Sequence, residues 1–431
     1  MPARFERVVI VGGSIAGLLA ARVLSSHACE GVLVERARVL DQPPLPRKGA
    51  PQGHHAHALL AAGQQALEAL FPGLTDRLVA QGAPIGRGCF YTAGGYLEGS
   101  ERNASLYASR GLLEAELRLR VSALPNLRLL EEAQAAPPLL ADGRATGVRV
   151  QPLQGGPERW LAADLVVDAT GRGSRTAAWL AASGYPTPAV ERVEVGMRYA
   201  TRHLRRRPGD LAGRCFFSVS PSPSQPRACG ILAQEGERWI VTLVGYFGDQ
   251  PPATDAGFLD FARSLPAPEV GALLACAPPL DEIRCFSFPH NQRTRYEALR
   301  ARPAGLLVLG DALASFSPVY GQGMSVAAQQ ALALQHCLAE GTVGLESRFF
   351  TAAARLIDRP WSLTVGNDRQ LAPGGPHGSP VQRWRYRWVQ RVLRAAHHDR
   401  QVAEAFLDVA RLLAPPTSLL RPSVVARALL A

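Results

Sequence analysis

The stretch that decides the fold lies near the N-terminus and reads Val8-Val9-Ile10-Val11-Gly12-Gly13-Ser14-Ile15-Ala16-Gly17. Its first four residues are an apolar run of strand length, and a glycine-rich turn follows them. Small and apolar residues at helical spacing then continue to Leu24, and a second apolar run covers Gly31 to Glu35. The sequence therefore predicts a buried strand, a tight turn, a helix and a second buried strand.

The turn has the spacing of a dinucleotide-binding motif, with Ser14 in the place of the second glycine. Such turns let the backbone approach a pyrophosphate at a helix N-terminus, where free N–H groups and the helix dipole hold negative charge. Glu35 lies 23 residues after Gly12 and can accept hydrogen bonds from a ribose hydroxyl. A tight turn without a ligand is the alternative, but the strand, the helix and Glu35 together favour a nucleotide. Arg36 either stacks on an adenine or is free.

A second turn follows the apolar run from Asp164 to Asp168 and reads Asp168-Ala169-Thr170-Gly171-Arg172-Gly173-Ser174-Arg175. A helix is predicted directly after it, from Thr176 to Leu180. The pattern fits either a further nucleotide-binding turn or an ordinary connection between a strand and a helix. On its own it decides neither.

A third turn follows the apolar run from Leu306 to Leu309 and has two parts. They read Gly310-Asp311-Ala312 and Pro318-Val319-Tyr320-Gly321-Gln322-Gly323-Met324, and a long helix is predicted from Gly323 onward. Asp311 can bind a ribose or ribityl hydroxyl, while Gly321 and Gly323 let backbone amides approach a planar ring. The helix N-terminus then faces negative charge, such as that of a reduced flavin. An ordinary glycine-rich loop is the alternative.

The composition is that of a globular protein, because 47% of the 431 residues are apolar and 19% are charged. No apolar run reaches the roughly 18 residues of a membrane span, and no signal-peptide pattern is visible, so we expect a cytoplasmic protein. Seven cysteines without a Cys-x-x-Cys pair predict free thiols and no metal site. The net charge of +11 comes from scattered arginines, with Lys48 as the single lysine, so no nucleic-acid partner is expected.

Together the three motifs resemble those of the FAD-dependent monooxygenases of the aromatic-hydroxylase type, the group A flavoprotein monooxygenases. The first is similar to their ADP-binding turn and the third to their G-D-A and P-x-x-G-Q-G flavin motif. The second departs from the family pattern, because the chain reads Asp168-Ala169-Thr170-Gly171 where many hydroxylases read Asp-Gly. This form resembles a narrower branch that includes polyene epoxidases of polyether pathways and aurachin-type quinolone monooxygenases. The resemblance spans residues 6 to 340.

The resemblance implies an α/β fold with a Rossmann-like FAD-binding domain of the glutathione-reductase type, an inserted β-sheet substrate domain and a C-terminal helical region. Residues 192 to 247 have the alternating and β-branched pattern of an antiparallel sheet, which agrees with the inserted domain. The expected division is residues 1–75, 100–185 and 285–345 for the FAD-binding domain, 76–99 and 186–284 for the β-rich domain, and 346–431 for the helical region.

The resemblance further implies an FAD-dependent monooxygenase in which NADH or NADPH reduces the flavin and O2 forms a C4a-hydroperoxide on it. One oxygen atom would pass to a hydrophobic secondary-metabolite substrate, such as a polyene or a prenylated quinolone ring. The flavin carries the chemistry, so no catalytic side chain is expected. Arg110 stands where the family's arginine reaches the flavin pyrophosphate or ribityl chain. The expected FAD contacts are Gly12, Gly13, Ser14, Ile15, Ala16, Gly17, Glu35, Arg36, Arg110, Asp168, Gly171, Asp311, Pro318, Gly321, Gly323 and Met324.

Three other functions stay open at this point. A flavin halogenase would need a Trp-x-Trp-x-Ile-Pro motif and a lysine near its halide tunnel, but the motif is absent and Lys48 stands in a different context. A prenyl reductase of the geranylgeranyl type also has an Ala-Thr-Gly second motif. A flavin-binding module without enzymatic activity is the third alternative.

Several side chains near the expected flavin have two interpretations. Residues 56 to 81 are predicted to be helical with a break at Phe71-Pro72-Gly73, and three histidines lie in the loop that should approach the flavin: His54, His55 and His57. No carboxylate or cysteine completes a metal set, so a solvated or capping role is expected, with His57 beside the flavin ring as a further hypothesis. Four aromatic residues of the β-rich segment either line a substrate pocket or fill the core: Phe216, Phe217, Trp239 and Tyr246.

The C-terminal region is basic, since residues 371 to 431 hold nine arginines and three acidic residues. Three aromatic residues alternate there with three of the arginines: Trp384, Tyr386 and Trp388 with Arg383, Arg385 and Arg387. Such a helix can lie on an anionic membrane surface, which would suit a lipid-soluble substrate. The alternative is a helix that packs on the FAD-binding domain with its arginines in solvent.

Overall fold

The computed structural model describes residues 4–40, 42–43, 51–374 and 379–430, so Lys48 lies outside the described residues. The strands of the described part are β1 (Phe5–Val11), β2 (Ala28–Val34), β3 (Ile85–Gly86), β4 (Gly88–Thr92), β5 (Gly95–Glu98), β6 (Ser105–Leu106), β7 (Leu127–Leu130), β8 (Ala133–Ala135), β9 (Leu139–Ala141), β10 (Arg144–Pro152), β11 (Arg159–Ala162), β12 (Leu165–Asp168), β13 (Val190–Arg205), β14 (Phe216–Val219), β15 (Arg227–Gln234), β16 (Arg238–Gly245), β17 (Arg284–Thr294), β18 (Leu306–Val308) and β19 (Ala314–Ser315). The helices are α1 (Ile15–Leu24), α2 (Ala61–Leu70), α3 (Leu74–Ala80), α4 (Arg110–Ser122), α5 (Thr176–Ala182), α6 (Asp255–Arg263), α7 (Pro268–Cys276), α8 (Gly323–Ala339), α9 (Leu345–Leu371), α10 (Pro380–Ala396), α11 (Arg400–Ala410) and α12 (Pro422–Leu430).

The first sheet is parallel and has five strands in the order β18-β12-β1-β2-β7. Val8, Val9 and Ile10 of β1 are almost completely buried, as expected for a strand in the interior of a parallel sheet. The four apolar runs that predict its main strands all form strands here, so this part of the prediction is confirmed. The carboxyl ends of β1, β12 and β18 meet at one edge of the sheet, and each leads into one of the three glycine-containing turns. Ligands bind at such an edge in α/β sheets.

The second sheet is large and has eight strands in the order β19-β17-β13-β16-β15-β14-β4-β5. Its neighbouring strands are antiparallel, except that β14 and β4 run parallel. The antiparallel sheet predicted within residues 192 to 247 is therefore confirmed. Strands β17 and β19 join this sheet from the segment 285–345, which is expected to belong to the FAD-binding domain. The exact division into domains stays a prediction.

The two faces of the large sheet are covered differently. On one face α6 and α7 pack over a buried cluster that includes Phe217, Trp239 and Val241. Because side chains alternate along a strand, Tyr199 and Thr201 of β13 point to the opposite face. There Thr201 hydrogen-bonds His55, and Tyr199 belongs to an apolar cluster that also includes residues from the third turn and from α9. This second face is turned toward the three glycine-containing turns.

The helix predicted over residues 56 to 81 begins later than expected. Residues 55 to 60 are not helical, with extended torsion angles at Leu60, and α2 begins at Ala61. Two distant hydroxyls hold this segment, because Thr242 Oγ1 accepts the Ala56 N–H at 3.1 Å and Ser325 Oγ accepts the Leu60 N–H at 3.0 Å. The prediction is therefore wrong for 56–60, where tertiary hydrogen bonds replace helical ones. The predicted break is confirmed, since α2 ends at Leu70 and α3 begins at Leu74.

The C-terminal region is helical with proline breaks, as predicted. Prolines begin α10 and α12, where their missing N–H would have no helical partner. Helices α10, α11 and α12 pack together on Leu97 of β5, so α10 lies against the large sheet. Helix α9 packs along α8 and also contacts α10, with Leu363 against the C-terminal cluster. None of the helices in the described residues is apolar over the length that a membrane crossing requires.

Candidate functional site

The first turn packs so tightly that side chains are excluded from it. Gly12 has a φ of +104°, and a Cβ at this position would lie 2.5 Å from the carbonyl oxygen of Ala169. A Cβ at Gly17 would lie 1.7 Å from the carbonyl oxygen of Gly12. Ser14 is the N-cap residue of α1, yet among the described residues no side chain caps this helix and no acidic residue stands in its first turn. The first N–H groups of α1 are therefore left for an anion.

Glu35 lies at this turn, as expected. Its side chain is 6% exposed, and its Oε2 accepts a hydrogen bond of 2.7 Å from the Gly13 N–H. Its Oε1 accepts one of 2.8 Å from the Ala37 N–H. These bonds hold the carboxylate at the end of β2, where a nucleotide ribose is expected. Arg36 is exposed, so neither of its two interpretations is decided.

Arg110 connects the first turn to two other segments. It begins α4, whose N-cap Ser109 accepts a hydrogen bond from the Leu112 N–H. The Arg110 guanidinium donates to Ser14 Oγ at 3.0 Å and to His57 Nε2 at 3.1 Å. Its Nε lies 3.5 Å from Glu114 Oε2, and the side chain is 12% exposed. A buried cation is thus fixed directly beside the N-terminus of α1.

The His57 ring is neutral and accepts a hydrogen bond from Arg110. Its Nδ1 lies 2.8 Å from the carbonyl oxygen of His55, and because a carbonyl only accepts, this nitrogen carries the proton. The lone pair on Nε2 then faces Arg110. Burial, followed by the charge of Arg110, lowers the pKa of His57 to about 3. The expected solvated or capping role is wrong for His57.

His55 has a different environment on the large sheet. Its Nδ1 lies 2.7 Å from Thr201 Oγ1, and its ring packs edge-on against Tyr199 with 4.6 Å between ring centres. The side chain is buried, and burial lowers the pKa of His55 to about 4. A solvated role is therefore wrong for His55 as well. The 55–60 segment instead joins the large sheet to the glycine-containing turns.

The second turn is organised around Asp168. Its Oδ1 accepts hydrogen bonds from the Thr170 N–H at 2.8 Å and the Thr170 hydroxyl at 2.6 Å. Its Oδ2 accepts from the hydroxyls of Ser174 at 2.5 Å and Thr176 at 2.6 Å. The carboxylate is thus turned into its own loop, where it fixes the path of the backbone through Gly171. Its expected direct contact with FAD stays a prediction.

The third turn closes the site from the opposite side. The 318–323 loop, defined as residues 318 to 323, contains Gly321 with a φ of +63°, and a Cβ there would lie 2.9 Å from the Cβ of Ala58. Pro318 begins a short turn that ends at Tyr320, and Gly323 begins α8. Within the described residues, α8 has no side-chain cap and no acidic residue in its first turn. A second helix N-terminus is therefore available to a negatively charged group.

Asp311 belongs to the first part of the third turn and is influenced by two arginines. Burial raises the pKa of its carboxyl group, while Arg110 and Arg172 act in the opposite direction. The Arg172 guanidinium donates to Ser315 Oγ at 3.2 Å and lies over the ring of Phe288. Sequence reasoning assigned no role to Arg172, although its position directly after Gly171 is a signal that could have suggested one.

Close approaches between backbone segments show that the three turns form one site. The first and second turns meet at Gly12 and Ala169, as described above. The first and third meet where a Cβ on Gly310 would lie 2.6 Å from the Cβ of Ala16. The second and third meet where a Cβ on Gly171 would lie 4.0 Å from the Cβ of Asp311. Two residues that are expected to contact FAD take part in core packing. Ile15 is buried, and Met324 packs against the core of the parallel sheet.

These residues fit an anionic dinucleotide. Two uncapped helix N-termini and the buried Arg110 supply positive potential, and Glu35 and Asp311 supply acceptors for hydroxyl groups. The family model described as "FAD binding domain" matches residues 6–348. The chain belongs to this FAD-binding family. Glycines of the three turns are among the expected FAD contacts, and at Gly12, Gly17, Gly310 and Gly321 an added Cβ would lie within 3 Å of other protein atoms.

Comparisons with individual proteins agree with this family. The chain is 33% identical over 426 residues to Protein Rv3254 of Mycobacterium tuberculosis (strain ATCC 25618 / H37Rv), covering 93% of this chain and 88% of that protein. Its fold is similar to p-nitrophenol 4-monooxygenase PnpA from Pseudomonas putida DLL-E4, with a TM-score of 0.65, 17% identity and coverage of 95% and 99% of the two chains. It is also similar to the myxobacterial chondrochloren halogenase CndH, with a TM-score of 0.65, 18% identity and coverage of 95% and 97%. The expected α/β fold with a Rossmann-like FAD sheet, a substrate sheet and C-terminal helices is confirmed.

Part of the face of the large sheet that is turned toward the three glycine-containing turns is apolar. Tyr246 is buried there in a cluster with Met197, Val244 and Phe288, and Val319 of the 318–323 loop packs against this cluster. The other predicted substrate-lining residues lie elsewhere. Phe217 and Trp239 fill the core under α6 and α7, and Phe216 packs against the rings of Phe90 and Tyr107. Alternation along the strands separates these two groups, but the sequence does not say which face meets the cofactor.

Proposed function

We propose that this protein is an FAD-dependent monooxygenase that uses NAD(P)H and O2 to epoxidise or hydroxylate a hydrophobic secondary-metabolite substrate. A polyene or a prenylated quinolone-type ring is the substrate class that its motifs favour. The observation that carries the proposal is the convergence of the three turns beside an apolar face of the large sheet. When bound, FAD supplies the redox chemistry and the activation of O2.

The residues around the site have definable tasks in this proposal. The N-terminus of α1 and Arg110 would hold the pyrophosphate, and Glu35 would accept hydrogen bonds from the adenosine ribose. Asp311 would bind a hydroxyl of the ribityl chain. The N-terminus of α8 would stabilise negative charge on the ring of the reduced cofactor, because its N–H groups and dipole favour an anion.

The apolar cluster around Tyr246 and Phe288 would exclude water from the side of the ring where the substrate binds. Exclusion of water prevents the unproductive decay of reactive intermediates and strengthens the electrostatic interactions in the site. It also favours a substrate with little polar surface. The fold of PnpA, a p-nitrophenol 4-monooxygenase, is compatible with this arrangement.

The decisive experiment begins with the visible spectrum of the purified protein and proceeds to oxygen consumption. A flavin spectrum, present on purification or recovered on adding FAD, is expected. NAD(P)H oxidation should then consume O2 and be stimulated by a polyene or a prenylated quinolone, with one oxygen atom in the product. Product formation without O2 uptake would support a prenyl reductase instead. Halide-dependent product would support a halogenase, and no turnover with any of these substrates would support a binding module.

We also propose that α10 contacts an anionic membrane surface. Val381 and Trp384 are 56% and 54% exposed on this helix, and the exposed Arg385 and Arg387 lie beside them. Apolar residues flanked by arginines fit the interface of a bilayer with negatively charged headgroups. Further along the helix, Trp388 packs against the C-terminal cluster, so the exposed large apolar residues of α10 lie in its N-terminal half.

Co-flotation with vesicles tests this contact. The protein should bind phosphatidylglycerol-containing vesicles and not purely phosphatidylcholine vesicles. Trp384→Ser should weaken binding severalfold, whereas Trp160→Ser removes a similarly exposed tryptophan, 47% accessible on β11, and should change nothing. Equal binding by both variants, or no binding to anionic vesicles, would contradict the proposal.

A further inference from the structure

One face of α9 holds the 318–323 loop. Thr364, Asp368 and Leu371 lie three and four residues apart and so share a side of the helix. The Thr364 hydroxyl donates to Gln322 Oε1 at 2.8 Å, and the Tyr320 hydroxyl donates to Asp368 Oδ1 at 3.0 Å. Leu371 belongs to the apolar cluster against which Val319 packs. This helix face therefore contacts the loop at three successive points.

Asp368 also holds the residue that precedes the loop. Its Oδ2 accepts a hydrogen bond of 2.7 Å from the Asn291 side-chain amide, and Asn291 Oδ1 accepts one of 2.5 Å from the Ser317 N–H. Asp368, Asn291 and Thr364 are each 0% exposed. A single buried carboxyl group thus joins α9 to β17, to Tyr320 within the loop and, through Asn291, to Ser317 just before it.

The surroundings of Asp368 contain no opposite charge among the contacts that the structure describes. The groups that face it are Asn291 from β17, Tyr320 from the 318–323 loop and Tyr246 from the end of β16. Burial raises the pKa values of both tyrosines well above the ordinary range, so neither titrates near neutrality. Burial also raises the pKa of Asp368 to about 7, although its two hydrogen bonds act in the opposite direction.

The ion pair that joins α9 to β17 lies far from Asp368 along both elements. Arg293 of β17 pairs with Asp358 of α9 at 2.7 Å. Asp358 precedes Asp368 by ten residues, which is nearly three helical turns or about 15 Å. The charge of Arg293 is therefore already neutralised locally and does not compensate Asp368.

We propose that Asp368 is a positioning residue that makes closure of the 318–323 loop, and with it the affinity for FAD, dependent on pH. Opening of the loop would remove Tyr320 and admit water to the carboxyl group. In water an aspartate has a pKa near 4, so the open form releases a proton that the closed form retains. Below the pKa of the closed form, opening gains nothing from ionisation. As the pH rises through that value, ionisation increasingly favours the open form.

The expected consequence is a loss of FAD affinity on the alkaline side of neutrality. The pKa of Asp368 in the closed form is about 7, and above it the dissociation constant should increase by up to about tenfold per pH unit. The proposal rests on FAD binding at this loop, which is part of the proposed function, but not on the reaction that the bound cofactor carries out. A failure to oxygenate any substrate would leave it intact.

The test is a titration of the flavin-free protein with FAD, followed by fluorescence between about pH 6 and pH 9. Asp368→Asn keeps the size of the side chain and mimics the protonated carboxyl, since its carbonyl can accept from Asn291 and its N–H can donate to Tyr320. Its FAD affinity should be independent of pH over this range. At the alkaline end the variant should bind FAD at least tenfold more tightly than the unaltered protein.

Thr364→Val is the matched control on the same helix face. It removes the bond to Gln322 but no titrating group, so it should weaken FAD binding by a similar factor at every pH and keep the slope of the unaltered protein. Tyr320→Phe removes one hydrogen bond that lowers the pKa of Asp368, so it should move the loss of affinity to higher pH. This variant keeps the proposal testable if Asp368→Asn does not fold.

The possible results distinguish a failure of the pH proposal from a failure of the FAD site. An Asp368→Asn protein that retains the pH dependence would overturn the proposal, as would an unaltered protein whose affinity is constant across the range. Absence of FAD binding in all proteins at every pH would instead contradict the FAD site itself, and with it the proposed function.

Discussion

At the scale of single residues, His57 shows how a neutral side chain can support a cofactor that it need not touch. Its Nε2 accepts from Arg110, and Arg110 lies beside the N-terminus of α1. A hydrogen bond to a charged group contributes about 1.5 kcal/mol, so His57→Phe should weaken FAD binding about tenfold. His57→Gln should restore part of this loss, because its carbonyl oxygen can accept from the guanidinium. The dissociation constants of the three proteins measure the effect.

The contribution of His57 to FAD binding should not depend on pH near neutrality. Burial lowers the pKa of His57 to about 3, so the ring is neutral and its lone pair is available throughout the ordinary range. The ratio of affinities between the unaltered protein and His57→Phe should therefore stay constant between about pH 5 and pH 8. A ratio that collapses as the pH falls toward 6 would show that the ring becomes protonated and would contradict this role.

Also at the residue scale, alanine substitutions at two glycines distinguish the effect of backbone strain from that of a steric clash. Gly12 and Gly73 both have a positive φ, but a Cβ on Gly12 would contact Ala169 at 2.5 Å, whereas one on Gly73 meets nothing within 4 Å. Gly73→Ala should cost only about 1 kcal/mol of folding stability and leave FAD binding unchanged. Gly12→Ala should abolish FAD binding, because the turn must move away from the second motif. Equal FAD affinities in the two variants would contradict the assigned packing of the first turn.

At the scale of elements, α9 carries a buried carboxyl group that should reduce stability at alkaline pH. Asp368 retains its proton more strongly in the folded chain than in the unfolded one, since its pKa rises from 3.8 to about 7. The stability associated with this group is complete below pH 4, is lost as the pH rises to 7, and stays lost above it. Asp368→Asn should therefore be more stable than the unaltered protein by up to about 4 kcal/mol at pH 8, and this difference should disappear near pH 4.

Denaturant unfolding at several pH values measures this difference. Asp260→Asn in α6 is the control, because Asp260 is 74% exposed whereas Asp368 is buried. Its stability relative to the unaltered protein should not change with pH. A pH-independent difference for Asp368→Asn as well would show that the carboxyl group does not carry the proton that the structure assigns to it.

The elements also show why some features are predictable from the sequence and others are not. The three turns could be predicted because glycine spacing, strand and helix lie together within about 20 residues. The non-helical 55–60 segment could not, because its partners Thr242 and Ser325 are distant in the chain. The role of Asp368 has no local signal either, since nothing around it in the sequence indicates that Tyr320 will be its donor.

At the scale of the whole molecule, the FAD site joins parts that are far apart in sequence. The cofactor would contact the ends of three strands of the parallel sheet and lie beside the large sheet, so its binding should stabilise both together. Free FAD at 100 times its dissociation constant should add about 2.7 kcal/mol to the stability and raise the melting temperature by a few degrees. Gly12→Ala should show no such increase. A melting temperature unchanged by FAD in the unaltered protein would contradict the expected linkage.

The sequence does not predict which elements cover each face of the large sheet. Alternation along its strands predicts two faces, and it correctly separates Tyr199 from Trp239. It does not indicate that α6 and α7 cover one face and the flavin turns the other, because that choice depends on connections over the whole chain. This is why Tyr246 lies beside the FAD site while Phe217 and Trp239 belong to the core.

The position of α9 determines where this chain can be truncated. The recognised FAD-binding segment ends at residue 348, only three residues after the start of α9 (Leu345–Leu371). A fragment cut there would retain every glycine of the three turns, yet it would lose Phe349, Phe350 and Ile357 from the core and would leave the amides of Asn291 and Gln322 without their partners. We therefore expect the smallest unit that folds to be larger than the unit that carries the recognisable motifs.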